Sequence, residues 1–141
     1  MGWGRNRVKD VAQTRMEKIL VVDDEPVVLG LCQKILERGG YDVVQANSGE
    51  AALRFCDASD RSIDLALLDI MMPGMNGIEL AGHLRSANPK LLIVLMSGCE
   101  PQEITRVVGD HPYRIIWKPF KTESLLQMID NAFGRSTDGM A

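Results

Sequence analysis

The sequence contains few cysteines and no long apolar run. Its three cysteines, Cys32, Cys56 and Cys99, lie far apart and form no C-x-x-C pair, which argues against a disulfide framework and for a reducing compartment such as the cytoplasm. The longest apolar run, residues 91–96, is far below the roughly 20 residues that a membrane-spanning helix needs. Residues 1–18 contain no apolar segment that could act as a secretory signal. We therefore expect a cytoplasmic domain that makes no contact with a membrane.

The sequence also lacks a large excess of either charge. The formal net charge is -3 at pH 7, from 16 Lys and Arg against 19 Asp and Glu. This balance favours neither a nucleic-acid backbone nor an anionic membrane surface, so the expected partner is a protein or a small molecule. Residues 1–18 depart from the balance because they carry five basic residues against two acidic ones. We interpret this segment as a linker, and a nucleic-acid-binding arm is the less favoured alternative.

The length of the chain limits the number of domains. Its 141 residues, 45% of them hydrophobic, are enough for one sizeable core and too few for two ordinary domains. We predict a leader at residues 1–17, a single domain at residues 18–134 and a tail at residues 135–141. The tail is too short for a DNA-binding or enzymatic output domain, so none is expected in this chain.

Short apolar runs alternate with segments of helical period from residue 18 onward, a pattern typical of repeated strand-helix units. The predicted strands are residues 19–22, 41–45, 63–68, 91–96 and 113–117. The predicted helices are residues 26–38, a segment capped by Ser48, a segment from Gly77 to just before Pro89, residues 101–108 and residues 122–133. The predicted inner face of the first helix is Val28, Leu31, Cys32, Ile35 and Leu36. Because several strands are solid apolar runs, they should be buried on both faces, as in a doubly wound α/β fold with a five-stranded parallel sheet.

Polar side chains follow four of the predicted strands. They are Asp23, Asp24 and Glu25 after the first strand, Asp69 after the third, Ser97 after the fourth and Lys118 after the fifth. Right-handed crossovers place the carboxyl ends of parallel strands at one edge of the sheet, where ligands of such folds bind. We therefore expect these side chains to converge on one patch.

The converging carboxylates need positive charge beside them. Carboxylates about 5 Å apart repel each other by about 3 kcal/mol per pair at an effective dielectric near 20. Lys118 supplies one positive charge, and Mg²⁺ or Mn²⁺ suits the rest because the ligands are oxygens with no histidine or thiolate among them. An aspartate beside a dication and a lysine is placed for phosphoryl transfer, and Asp69 is the predicted nucleophile because it follows a buried strand directly into a turn.

Four segments of this sequence match one family. The segments ILVVDDEP, LLDIMMPGMNGIEL, LMSG and KPF occur in the order and near the spacing found in response-regulator receiver domains of two-component signalling. The chain resembles these domains over about residues 18–134. The resemblance implies the flavodoxin-like strand order 2-1-3-4-5.

The resemblance also implies a role for each residue at the predicted site. It implies that Asp69 is the phospho-acceptor, and that Asp24, Asp69 and the backbone carbonyl of Met71 bind Mg²⁺ directly while Asp23 acts through metal-bound water. It also implies that Lys118 pairs with phosphoryl oxygens and that Ser97 moves its hydroxyl onto one of them. Finally, it implies that Pro119 follows a cis peptide bond. One position departs from the family, because Ile115 stands where an aromatic switch residue is usual. Trp117 shares a strand face with Ile115 and could replace that aromatic, although a core or interfacial tryptophan is the preferred interpretation.

The function implied is that of a phosphorylation-controlled signalling switch. Asp69 would accept a phosphoryl group from the phosphohistidine of a sensor histidine kinase or phosphotransfer protein, and the surface of the fourth helix, fifth strand and fifth helix would change for a downstream protein target. The domain would be no enzyme beyond catalysing its own phosphorylation and dephosphorylation. It would be either a stand-alone receiver or part of a larger protein such as a hybrid histidine kinase.

Three other functions are alternatives to this one. A docking module of the same fold that works without phosphorylation is the main alternative, and Ile115 favours it mildly. A phosphohydrolase needs an acid near the nucleophile, where this sequence has Met71, and a flavin site needs a phosphate-binding loop where residues 23–25 would repel phosphate. The two histidines, His83 and His111, have no second ligand at useful spacing, so neither is predicted to bind metal.

Overall fold

Strands and helices alternate along the whole of the domain. A computed structural model of the chain describes residues 16–58, 62–108 and 112–135. The elements in chain order are β1 (Lys18–Val22), α1 (Pro26–Arg38), β2 (Asp42–Ala46), α2 (Gly49–Ala58), β3 (Leu65–Asp69), α3 (Gly77–Ala87), β4 (Leu92–Ser97), α4 (Pro101–Val108), β5 (Arg114–Trp117) and α5 (Thr122–Ala132). None of the helices within these ranges has the length and apolar character needed to cross a bilayer.

The five strands form one parallel sheet in the order β2-β1-β3-β4-β5. This order confirms the predicted flavodoxin-like fold. In β1 and β3 every residue is buried, as the apolar runs at residues 19–22 and 65–68 predict for strands covered on both faces. Val22 of β1 pairs with Leu68 of β3, and Asp69 of β3 pairs with Met96 of β4, so the carboxyl ends of the central strands lie level with one another.

Successive residues of each central strand point to opposite faces of the sheet and build two separate cores. Leu20 and Leu68 belong to the core that α2, α3 and α4 cover. Ile19 and Leu67 belong to the core that α1 and α5 cover. Because helices lie on both faces, the sheet ends are the places where polar side chains can gather without crossing a core.

The inner face of α1 differs from its prediction at one position. Leu31 is 46% exposed, and Leu29 is buried in its place beside Cys32 and Ile35. The sequence from Val27 to Cys32 is apolar apart from one glycine, so the helical period gave no unique phase there. Only packing against the sheet selects Leu29, which lies one helical turn before Cys32.

Two helix starts explain how the loops near the sheet edge are held. The side chain of Ser48 accepts a hydrogen bond from the Ala51 N–H at 3.0 Å, as predicted for the cap of α2. The start of α3 is a capping box that the sequence analysis did not identify, in which Asn76 and Glu79 bind each other's backbone N–H groups. The sequence signal for it was available in the spacing N-x-x-E directly before an apolar helix face.

The opposite end of the sheet ties the two limits of the predicted domain together. Arg135 forms an ion pair with Glu17, and its guanidinium lies 5.3 Å from the ring centroid of Tyr41 and 5.6 Å from that of Phe133. Glu17 and Arg135 therefore contact the folded domain. The remaining residues of the predicted leader and tail, 1–15 and 136–141, lie outside the described residues, as does His111.

Candidate functional site

Three carboxylates meet at the carboxyl ends of β1 and β3. Asp23 and Asp24 follow β1, and Asp69 is the last residue of β3. One oxygen from each carboxylate lies within 4.8 Å of those of the other two. They converge because β1 and β3 are neighbouring parallel strands whose ends are in register. Asp23 and Asp69 are buried, whereas Asp24 is exposed to solvent.

Lys118 supplies positive charge to these carboxylates. Its Nζ lies 2.8 Å from Asp23 Oδ2 and 3.6 Å from Asp69 Oδ1. Lys118 follows β5, which is separated from β3 by β4, so its long side chain reaches across the end of β4 to the acids. Its backbone N–H donates to the carbonyl oxygen of Ser97 at 2.7 Å, and its peptide bond to Pro119 is cis. The hydrogen bond to Ser97 fixes where the side chain starts.

Ser97 lies at the carboxyl end of β4, and Met71 lies in the loop that follows β3. Ser97 is the last residue of β4 and is fully buried. Its Oγ accepts a hydrogen bond from the Cys99 N–H at 3.0 Å, so the hydroxyl is held within its own loop. Met71 lies two residues after Asp69 and is 44% exposed, and its backbone N–H donates a hydrogen bond to the Asp69 carboxylate.

The residues at the predicted switch lie on β5. Ile115 is half-buried against the core that α2, α3 and α4 cover. Trp117 pairs with Ser97 across β4 and β5 and is 39% exposed, which excludes the core interpretation of this tryptophan. An aromatic side chain therefore lies at the surface beside Ser97, although the residue at the usual switch position is aliphatic. His83 lies on the exposed surface of α3, away from any metal-binding group that the described residues form.

The environment of the cluster changes the proton affinity of two groups. Burial, followed by the charges of Asp23 and Asp24, raises the pKa of Asp69 from 3.8 to about 6, although Lys118 and the Met71 backbone act in the opposite direction. Burial by itself would lower the pKa of Lys118, but its hydrogen bond to Asp23 and the surrounding carboxylates raise it above the ordinary value. The site therefore carries excess negative charge that a cation would relieve.

We expect the variant Asp69→Asn to be more stable than the wild-type protein in metal-free buffer at pH 7.5. The folded state holds a proton on Asp69 more tightly than the unfolded chain does, so the wild-type protein loses stability as the pH rises from about 4 to about 6. Asparagine has no such loss. With allowance for screening, the gain in unfolding free energy is about 1–2 kcal/mol at pH 7.5 and close to zero at about pH 4.

Urea unfolding in EDTA at several pH values measures this difference. The Asp57→Asn change is the matched control, because Asp57 is exposed at the end of α2 and its replacement should change the unfolding free energy by less than about 0.5 kcal/mol. A stability difference between wild type and Asp69→Asn that grows as the pH falls would contradict the assigned direction of the shift.

The donor atoms of the cluster fit a hard divalent cation. The three residues offer carboxylate oxygens only, and no histidine or thiolate joins them within the described residues. Oxygen ligands of this kind suit Mg²⁺, which is bound through one or two carboxylates and keeps several waters. Because Asp24 is exposed, the cluster is open to solvent on that side.

Comparison with known proteins identifies the family of the chain. The family model for the response regulator receiver domain matches residues 19–130. The chain belongs to this family. A receiver domain is a signalling domain of two-component systems, and it has the five-stranded parallel sheet observed here. The predicted resemblance is therefore confirmed.

Several curated relatives of this receiver domain are transcriptional regulatory proteins. The chain is 43% identical over 127 residues to CpxR of Escherichia coli strain K12, which covers 86% of this chain and 51% of CpxR. It is 44% identical over 94 residues to the alkaline phosphatase synthesis regulator PhoP of Bacillus subtilis, which covers 66% of this chain and 38% of PhoP. The chain thus matches about half the length of these relatives, or less.

Solved receiver domains superpose on this one over most of the chain. The response regulator TrrA of Thermotoga maritima, solved in complex with Mg²⁺ and BeF, is 30% identical with a TM-score of 0.73, covering 83% of this chain and 99% of TrrA. A receiver domain from Clostridium thermocellum is 26% identical with a TM-score of 0.74, covering 84% of this chain and 95% of its own.

Proposed function

We propose that this receiver domain is a phosphorylation-controlled switch in which Asp69 accepts a phosphoryl group from the phosphohistidine of a histidine kinase or phosphotransfer protein. The observation that carries the proposal is the buried Asp69 carboxylate, which shares the ammonium of Lys118 with Asp23 and lies against Asp24. A single buried carboxylate could serve a structural purpose through one lysine. The clustered carboxylates of Asp23, Asp24 and Asp69 carry more negative charge than Lys118 can neutralise. This excess favours a site for a cation and a phosphoryl group.

The residues of the site have separate tasks in the proposed transfer. A carboxylate oxygen of Asp69 attacks phosphorus, the P–N bond to the donor imidazole breaks, and the imidazole leaves with that electron pair and takes up a proton. Lys118 pairs with a phosphoryl oxygen, for which its half-buried ammonium is well placed. Asp24, Asp69 and the Met71 carbonyl would hold Mg²⁺ directly, or Mn²⁺ in its place, with Asp23 acting through water. The bound cation would neutralise charge on the transferring oxygens.

Ser97 connects the phosphoryl group to the output surface in this proposal. Its hydroxyl leaves the Cys99 N–H and donates to a phosphoryl oxygen, which draws the β4–α4 loop inward. Because Ser97 pairs with Trp117 and its carbonyl accepts the Lys118 N–H, the movement also reaches β5. The α4–β5–α5 surface would then present a changed shape to a downstream protein target. We propose residues 18–134 as the boundaries of the receiver domain. The proposed location of the domain is the cytoplasm.

We expect incubation with Mg²⁺ and a small phosphodonor to add the mass of one phosphoryl group to the intact protein. Labelling should fall at least about tenfold in EDTA and in the variant Asp24→Asn. EDTA removes the cation and Asp24→Asn removes one of its proposed ligands, so in both cases the transferring oxygens lose the positive charge of the cation. Intact mass spectrometry over time measures both. A protein that gains no mass with Mg²⁺ would instead be a docking module that works without phosphorylation, the candidate that Ile115 favours.

A further inference from the structure

A third carboxylate, on Glu25, also contacts Lys118. Among the described residues, Asp23, Asp69 and Glu25 have a carboxylate oxygen within 4.0 Å of Lys118 Nζ, and the oxygen of Glu25 lies at 3.6 Å. The sequence places Glu25 at the same sheet edge, but it assigns no task to the residue. Asp69 and Asp23 have tasks in the proposed transfer, whereas Glu25 has none.

The exposure of Glu25 separates it from the other two acids. Its side chain is 64% exposed, while that of Asp69 is 6% exposed and that of Asp23 is fully buried. The carboxylate of Glu25 therefore lies at the solvent rim of the cluster. A phosphoryl donor reaches the buried Asp69 from solvent, so it approaches the same ammonium that Glu25 contacts.

The backbone of Glu25 is held by two hydrogen bonds, while its side chain is largely exposed. Its N–H donates to Asp23 Oδ1 at 2.9 Å, and its carbonyl accepts from the Leu29 N–H at 3.1 Å as the first bond of α1. Although Glu25 occupies the N-cap position, its side chain makes no capping hydrogen bond. Among the described residues, Lys118 is thus the one ion-pair partner of this carboxylate, and loss of that contact would leave the backbone bonds at the start of the helix in place.

We propose that Glu25 is a displaceable counter-ion of Lys118, a positioning residue that competes with the phosphoryl group for the ammonium. This inference rests on the proposed phosphoryl transfer to Asp69. When no phosphoryl group is present, Glu25 occupies the solvent side of Lys118. When one arrives, it displaces the Glu25 carboxylate, and the remaining negative charge of Glu25 weakens the binding of the anion. Glu25 consequently limits labelling by small anionic phosphodonors.

The variant Glu25→Gln tests this competition because it removes the charge and keeps the shape. The probe is beryllofluoride, an anion with the geometry of a phosphoryl group, titrated at saturating Mg²⁺ by calorimetry. We expect its affinity to rise about fivefold in low salt, which corresponds to about 1 kcal/mol, and the gain to shrink at an ionic strength of about 0.5 M. In labelling with a small phosphodonor, the gain should appear mainly in KM.

A second titration and a second variant separate competition from other effects. Mg²⁺ affinity measured without beryllofluoride should not rise in Glu25→Gln, because a lost negative charge cannot strengthen cation binding. The matched control is Glu37→Gln, which removes a charge at the other end of the same helix, where Glu37 is exposed and contacts Gln33. Glu37→Gln should bind beryllofluoride as the wild-type protein does.

The outcomes distinguish this inference from the proposed function. If the wild-type protein is labelled and Glu25→Gln binds beryllofluoride no more tightly than the wild type or Glu37→Gln, Glu25 does not compete for Lys118 and the inference is wrong. A wild-type protein that neither takes up label nor binds beryllofluoride overturns the proposed function, and the role of Glu25 fails with it. A fivefold gain confined to the Glu25 variant supports both.

Discussion

The Asp69→Asn variant should take up no phosphoryl group from a small phosphodonor, with a rate at least about 1,000-fold below that of the wild-type protein. An amide carries no negative charge, so it is a poor nucleophile toward phosphorus and forms no acyl phosphate. The fold should persist because asparagine has nearly the same shape and the Asp23 partner of Lys118 remains in place. Intact mass spectrometry of folded protein measures the loss.

The Asp57→Asn variant provides the control for this loss. Asp57 is an exposed aspartate at the end of α2. This variant should be labelled at the wild-type rate, since Asp57 is not among the described carboxylates that contact Lys118. Persistent labelling of a folded Asp69→Asn protein would mean that another side chain is the acceptor, and peptide mapping would then identify it.

Gly77→Ala should be the most destabilising small substitution near the site, by about 2–4 kcal/mol. A Cβ at Gly77 would lie 2.3 Å from the carbonyl oxygen of Asp69 and 3.0 Å from Ile70 Cα. Both contacts are with backbone, which has no flexible end that could move aside. The helix α3 therefore starts directly against the end of β3, where the Gly77 N–H donates to the Ile70 carbonyl at 2.9 Å.

Gly82→Ala is the matched control within the same helix. A Cβ at Gly82 would meet no atom within 4 Å. Because alanine is the better helix former, this variant should be more stable than wild type by up to about 1 kcal/mol. Urea unfolding of both variants measures the pair, and labelling of Gly77→Ala should also fall because the displaced carbonyl belongs to Asp69. Equal stabilities for the two variants would contradict the close approach of α3 to β3.

Much of the fold was predictable because each element carries its own period. The apolar runs at residues 19–22 and 65–68 predicted strands buried on both faces, and the structure has them at the centre of the sheet. The helix predicted at residues 101–108 coincides with α4. The observed strand ends differ from the predicted ones by one or two residues. Asp69 and Ser97, for example, are the last residues of their strands, whereas the prediction places them just after the strands. These shifts arise from backbone pairing between neighbouring strands, which no single strand encodes.

The sequence by itself determined the succession of strands and helices along the chain, because this depends on local periodicity. It also determined the residue types at one edge of the sheet, because parallel strands all end at the same edge. Only the tertiary structure decided that Leu29, not Leu31, faces the sheet and that Glu25 contacts Lys118. It also decided that Asp69 has a raised pKa. Contact distances and burial depend on how separate elements pack against each other, and residues far apart in the chain, such as Glu25 and Lys118, carry no local signal of their contact.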